Sequence, residues 1–448
     1  MNVATADIDT DRQPPMGIPL CHFVVGLAFL VLGGLVGFGR AIGVVPGIAP
    51  AASAHLLVAG WVGLTIMGAM TQFVPVWSGV PLHSRRLARL QLPLAAIGLL
   101  GLVLALLTLR LGLAAAFAAL AIAGFWLFSY NVARTLVRVE RLEATLASFG
   151  LAIGCFLAAT LLGGLLVVDY TVALFGSGVD RVAVIDAHVT LAVLGGVMLT
   201  VFGAIRQLIT MFTGSEFDRV GRALLRVATV AYPIGLSSLV VGHLSSGRGF
   251  ALVGGTVLVV ATLGYTVALA RPLARTTLPW TPLHAHYAVA IPAIGGWALY
   301  AASGWLADPL APGRALGPPA AFELLAIGGV GFVVLGTLYH VIPFVVWFHA
   351  YSDRLGLEAV PTIDDCYSDR LASLEFLLVV TGAVVVVLGA SGTGSPIDPA
   401  IGWALLTAGF VCVAANMALV IARHAPGSIP ELFLSGGGDR GDVSSRGG

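Results

Sequence analysis

The sequence predicts an all-α polytopic membrane protein, with twelve transmembrane helices arranged as three pseudo-equivalent four-helix arcs. Three observations lead there. Of 448 residues, 58% are hydrophobic and only 10% charged, with mean hydropathy +0.98, whereas a soluble domain is nearer a quarter charged. Apolar windows of about 20 residues recur along the chain, the length a helix needs to cross the hydrocarbon. A nine-residue stretch also occurs three times, as Met67–Pro75, Phe202–Thr210 and Leu335–Pro343. Each copy has glycine second, a polar residue four later (Gln72, Gln207, His340), then Pro or Thr seven after the glycine. The glycines Gly68, Gly203 and Gly336 are 203 − 68 = 135 and 336 − 203 = 133 residues apart. Internal repeats of this length are common in membrane folds.

Twelve spans follow from the apolar windows, at 18–39, 52–77, 90–109, 112–133, 145–168, 184–210, 223–243, 249–270, 284–305, 320–348, 371–391 and 399–422. The membrane domain is expected over 18–430, between a polar N-terminus (1–17) and a disordered tail (431–448) of Gly, Ser, Asp and Arg that cannot bury a core. Residues 1–15 lack the basic start and small-residue cleavage site of a signal peptide. All 23 basic residues are arginine. With both termini cytoplasmic, eighteen arginines fall on inner segments and five (Arg40, Arg110, Arg181, Arg248, Arg314) on outer ones. That positive-inside bias sets the expected orientation in the plasma membrane. Spans 2, 6 and 10 carry the repeat and all run outward to inward, giving four helices per block. The four cysteines (Cys21, Cys155, Cys366, Cys412) show no paired spacing. Asp353, Asp364, Asp365 and Cys366, in an inner loop over 349–370, read as a solvated face.

Ionisable groups inside spans are expensive and therefore candidates for function. His55, His188 and Glu323 lie near the outer starts of spans 2, 6 and 10. His55 and Glu323 stand 13 residues before their repeat glycine, but His188 stands 15 before Gly203. Two residues swing a helical side chain by about 200°, so only a kink, for instance at Gly195-Gly196, or a different role for His188 reconciles it. Gathered on one axis, two imidazoles and a carboxylate suit zinc, copper or non-haem iron. The plainer reading has Glu323, one turn after Pro318-Pro319, favouring its helix N-terminus, and Ser53 and Asp186 as caps. A second candidate metal or proton site, at the inner side, comprises His284, His286 and His340, with His83 and His349 at the rim. Gln72 and Gln207, matching His340, are expected to hydrogen-bond between the repeat helices.

The chain resembles subunit I of the haem–copper oxidases, which has twelve spans in three arcs. Gly68, Pro75 and Gly79 keep the spacing of that family's span 2, and Phe322, Gly336, His340 and Pro343 that of its span 10. It is also similar to the NnrS-like haem and copper proteins of nitric-oxide response. The resemblance implies haem, with His55 as cofactor ligand, and/or copper, respiratory electron transfer or O2/NO chemistry, and partners among respiratory subunits or electron donors. His188 matches the family's span-6 copper histidine. The two span-10 histidines fall on Ala321 and Glu323, and the tyrosine expected four after His188 is Ala192. Span 7 has only His243 where the family has a double histidine, and the absence of lysine removes the family's lysine proton path. An altered centre is therefore expected, with catalysis left open. The alternative is a non-catalytic copper or small-solute carrier, or an assembly partner of a respiratory complex. No nucleotide-binding loop or Ser/His/Asp arrangement is present.

Overall fold

A computed structural model describes residues 15–176, 178–392 and 397–434. Among them, twelve helices are long and apolar enough to cross a bilayer. They are α1 (Gly17–Ala41), α2 (Ala49–Ser78), α3 (Arg85–Leu107), α4 (Leu111–Leu136), α5 (Ala144–Val172) and α6 (Arg181–Thr213). The second half holds α7 (Arg219–Ser245), α8 (Arg248–Ala274), α9 (Pro282–Ala307), α10 (Ala321–Arg354), α11 (Asp369–Ala390) and α12 (Pro399–His424). A short helix, α13 (Ile429–Leu434), follows, so the tail expected to be disordered from 431 begins in helix. Residues 1–14 and 435–448 lie outside the described residues.

Local chemistry sets the ends. Ser84, Asp218 and Ser368 cap α3, α7 and α11, each side chain accepting from a backbone N–H three residues on. Gly79 and Gly214 end α2 and α6 in the left-handed conformation, φ 67° and 62°, where glycine carries no Cβ penalty. Both stand 11 residues after their repeat glycine. The matching place in α10 is Trp347, and that helix runs on to Arg354, past the predicted end at 348.

In lipid, helices associate through close packing and polar contacts rather than by the hydrophobic effect. Small residues supply the closest approaches. A Cβ on Gly98 would stand 2.2 Å from the Ala121 backbone nitrogen, on Gly254 2.4 Å from Leu239, and on Gly382 2.8 Å from Leu406. These seams join α3 to α4, α7 to α8 and α11 to α12. The repeat glycines take the first helix of each block just as tightly. A Cβ on Gly68 would meet the His22 Cβ at 2.6 Å, on Gly203 that of Ser148 at 3.0 Å, and on Gly336 that of His286 at 2.7 Å.

The most enclosed helices are α2 and α10, with 78% of their most apolar stretch buried, against 28% for α5. They and α6 meet in the middle. Leu57, Val58, Trp61 and Val62 of α2, Val193 and Val197 of α6, and Ala326, Ile327 and Val330 of α10 line one void with Phe410 of α12. At that level all three helices are wound as π-helix, over His55–Gly63, Thr190–Val197 and Leu324–Gly331. Each π segment contains two or three glycines and ends five or six residues before its repeat glycine. Short π insertions are the rule and recur at functional sites; three matched runs mark this level of the bundle. Among the described residues, no hydrogen bond joins Gln72 or Gln207 to another repeat helix. Gln207 is exposed, and the buried Gln72 Oε1 has no partner among the described residues.

Candidate metal centre

His55 opens the π segment of α2, and His188 stands two residues before that of α6. Gly195 and Gly196 both lie within the π turn of α6. The two imidazoles meet, with ring centroids 6.2 Å apart and planes inclined by 22°. Each ring is fixed from behind. His55 Nδ1 donates to the Ala51 carbonyl at 2.8 Å, one turn back on α2. His188 Nδ1 donates to the Ala159 carbonyl of α5 at 2.8 Å. The His188 ring also lies on Gly163 of α5, where a Cβ would stand 2.9 Å from its Cε1.

Because a carbonyl only accepts, both protons sit on Nδ1, and each Nε2 presents its lone pair. Neither Nε2 makes a hydrogen bond among the described residues. An Nδ1–H held by a carbonyl with Nε2 left open is how proteins orient a metal-binding histidine.

Glu323 faces a different partner. Its Oε1 lies 4.0 Å from Arg40 Nη2 of α1, and the Arg40 guanidinium also covers the Trp403 ring of α12 at 5.9 Å. Asp186 is not a cap: its Oδ2 accepts from the Gly313 N–H at 3.3 Å, while Asp180 caps α6. Among the described residues, no group of three or more His, Cys, Asp or Glu gathers around a common point that could hold a metal ion.

The three inner histidines have separate partners. His284 Nδ1 accepts from the Thr281 backbone N–H at 3.2 Å, and its Nε2 donates to the Phe212 carbonyl at 2.9 Å. Both nitrogens are used, so His284 caps α9 rather than offering a lone pair. His340 packs edge-on against Phe212, centroids 4.6 Å apart, and over Phe344. His286 Nδ1 donates to the Pro282 carbonyl at 2.7 Å, and its Nε2 faces Glu375 of α11 at 3.2 and 3.3 Å. At the rim, His83 bonds Arg138, and His349 donates to the Val345 carbonyl.

Sequence reasoning passed over two buried polar groups, His22 and Glu375. His22 Nδ1 donates to the Ile18 carbonyl at 2.7 Å, and its Nε2 accepts from Gln91 at 3.1 Å. The available signal was spacing: Gln91 and Glu375 each stand seven residues after a capping serine, Ser84 and Ser368.

In the loop before α11, Asp364–Cys366 forms a single 3-10 turn. Asp365 accepts from the Thr362 N–H and hydroxyl at 2.8 and 2.7 Å, and these bonds hold its carboxyl below the ordinary range. Burial, reinforced by neighbouring Asp365 and Asp364, raises the Cys366 thiol. These carboxylates serve the turn.

No protein-family model matches the sequence, and no curated protein matches it.

Proposed function

We propose that this is a membrane protein of three pseudo-equivalent four-helix arcs, haem–copper-oxidase-like, whose centre is a copper ion shared by His55 and His188. The observation that carries this reading is the 6.2 Å between the two ring centroids with both Nε2 lone pairs open. Two imidazoles bound through Nε2 at about 2.0 Å to one ion put their ring centres roughly 5 to 6.5 Å apart, depending on the angle. Imidazole suits copper, zinc and iron, and copper heads the affinity order. Bound there, copper would supply a one-electron couple with coordination positions left for a small ligand. The chain's own contribution is to hold both tautomers through the Ala51 and Ala159 carbonyls.

Arc symmetry is supported by equivalent contacts: the same glycine seam within each block, and the same π segment three times. Haem fits less well. The void between α2, α6 and α10 is about 10 Å³, room for one water, while a macrocycle needs on the order of 300 Å³ or more. Its lining is wholly apolar and begins two residues past His55. Such a lining suits O2 or NO, which need no hydrogen bonds, and offers an ion no polar path. Small-gas or electron-transfer chemistry is therefore favoured over copper or solute carriage. The arginine bias supports cytoplasmic termini in a plasma membrane, with the histidine pair near the outer face.

The test is metal analysis and paramagnetic resonance on the purified protein after copper loading and desalting. The expected result is one copper per chain, lost in His55→Ala and in His188→Ala, and kept in Glu323→Gln. Wild-type protein that retains no copper would sink the reading. So would a double variant, His55→Ala with His188→Ala, that holds copper as the wild type does.

A further inference from the structure

We propose that His286 and Glu375 form a buried proton-binding site, reached from the α10–α11 loop through Tyr339 and Tyr367. This inference stands without any metal at His55.

The chemistry begins with the tautomer. His286 Nδ1 donates to Pro282, so its second nitrogen, Nε2, is the one that faces the carboxylate. Nε2 lies 3.3 Å from Oε1 and 3.2 Å from Oε2 of Glu375, and both side chains are wholly buried. Without a proton between them, a nitrogen lone pair would oppose a bare carboxylate in an apolar pocket. The pocket is built by Phe332, Tyr339 and Phe376, with ring centroids 5.2 to 5.7 Å from the imidazole. An unpaired buried charge is far costlier than a neutral pair. One proton between Nε2 and the carboxyl makes the pair neutral, whichever side holds it.

The chain contains its own control. His22 on α1 is bonded in the same way to Ile18, and Gln91 on α3 stands where Glu375 stands on α11. Gly68 packs on His22 as Gly336 packs on His286. The amide supplies a hydrogen bond there without an exchangeable acid proton. A carboxyl is therefore not needed merely to join the helices, and its presence at 375 adds a proton site.

The surrounding groups outline the route. From α9, His284 is turned away to Phe212. From α12 come Cys412 and Asn416, and Asn416 is tied to both backbone groups of Ser368. From α10, the Tyr339 hydroxyl neighbours Glu375 and Asn416. Both that hydroxyl and Glu375 Oε2 are buried without a fully formed hydrogen bond. The Tyr339 ring meets Tyr367 edge-on at 5.4 Å, and the Tyr367 hydroxyl donates to exposed Asp364 at 3.1 Å. Glu375 is 375 − 368 = 7 residues, about 10 Å, in from the cap of α11. A proton released by the pair passes to the tyrosine hydroxyls as each gives up its own, and leaves at Asp364 to water. Uptake is the reverse, so no atom other than hydrogen moves.

Infrared spectroscopy of the full-length protein in nanodiscs, followed on transfer from H2O to D2O, tests this. Wild type minus Glu375→Gln should contain a band, of the carboxyl or of the imidazolium facing it, that shifts on deuteration. Tyr339→Phe should slow that shift tenfold or more. No deuterium-sensitive band in the difference spectrum would overturn the site, and an unchanged rate in Tyr339→Phe would overturn the route. If Glu375→Gln does not fold, Gln91→Glu decides. The acid placed against His22 must add a second band of the same kind, and its absence counts against the shared proton.

Discussion

Asn416 of α12 holds Ser368, the cap of α11, by both backbone groups: it accepts from the Ser368 N–H at 2.9 Å and donates to its carbonyl at 3.0 Å. Asn131 of α4 does the same to Ser84, the cap of α3, at 2.9 Å each way. At the corresponding place on α8, Arg271 closes on Asp218, the cap of α7, alongside Arg275. One task, anchoring a helix start to the next helix, is done twice by a neutral amide and once by an ion pair.

Asn416→Ala removes two bonds and orphans backbone groups at a helix start. Unfolding of the purified protein should be easier by about 1–3 kcal/mol, and Asn131→Ala should cost a similar amount. A change below a few tenths of a kcal/mol in both would show that these bonds do not fasten the helix starts.

The ion-paired version adds a pH dependence. The Arg271 hydrogen bond, with the Gly221 N–H and Arg275, holds the Asp218 carboxyl below its ordinary value of 3.8. For a depressed carboxylate, the stabilisation is present above the unfolded value and fades as pH falls through the folded one. Wild type and Asp218→Asn should therefore differ in melting temperature by a constant amount above pH 5. The gap should shrink only below the ordinary 3.8. A gap that closes between pH 5 and 8 would contradict the assignment.

The seam between α7 and α8 is a matter of volume. Gly254→Ala places a methyl 2.4 Å from the Leu239 backbone nitrogen, which cannot swing aside. The helices must part, at a cost of about 1–3 kcal/mol. Gly296→Ala, on α9, meets nothing within 4 Å and should not lower the melting temperature, since alanine is the better helix former. Equal melting of the two variants would refute the tight seam.

Gly163→Ala reaches the histidine pair without altering either imidazole, and so tests the proposed copper site. The new methyl would lie 2.9 Å from His188 Cε1 and turn the ring. Copper affinity should fall about tenfold, as when an orienting contact is lost, with helix content unchanged. Titration with a competing chelator measures it, and wild-type affinity in this variant would separate His188 orientation from metal binding.

Helix number was legible in the sequence because the bilayer imposes one length and one composition on every span, and both are local properties. The twelve predicted windows fall within the twelve observed helices to within a few residues. The triple motif was legible too, since its glycines repeat at fixed intervals; the caps were not, since Asp186, read as a cap, bonds the Gly313 N–H while Asp180 caps α6. Partner choice was not. His55 and His188 lie with ring centroids 6.2 Å apart, which the spacing to Gly203 does not reveal. Glu323 reaches Arg40 of α1 at 4.0 Å, and His286 faces Glu375 because α9 and α11 lie against one another. In a chain this apolar, local pattern says which polar groups must be buried; only contact between helices distant in sequence decides which of them neutralise one another.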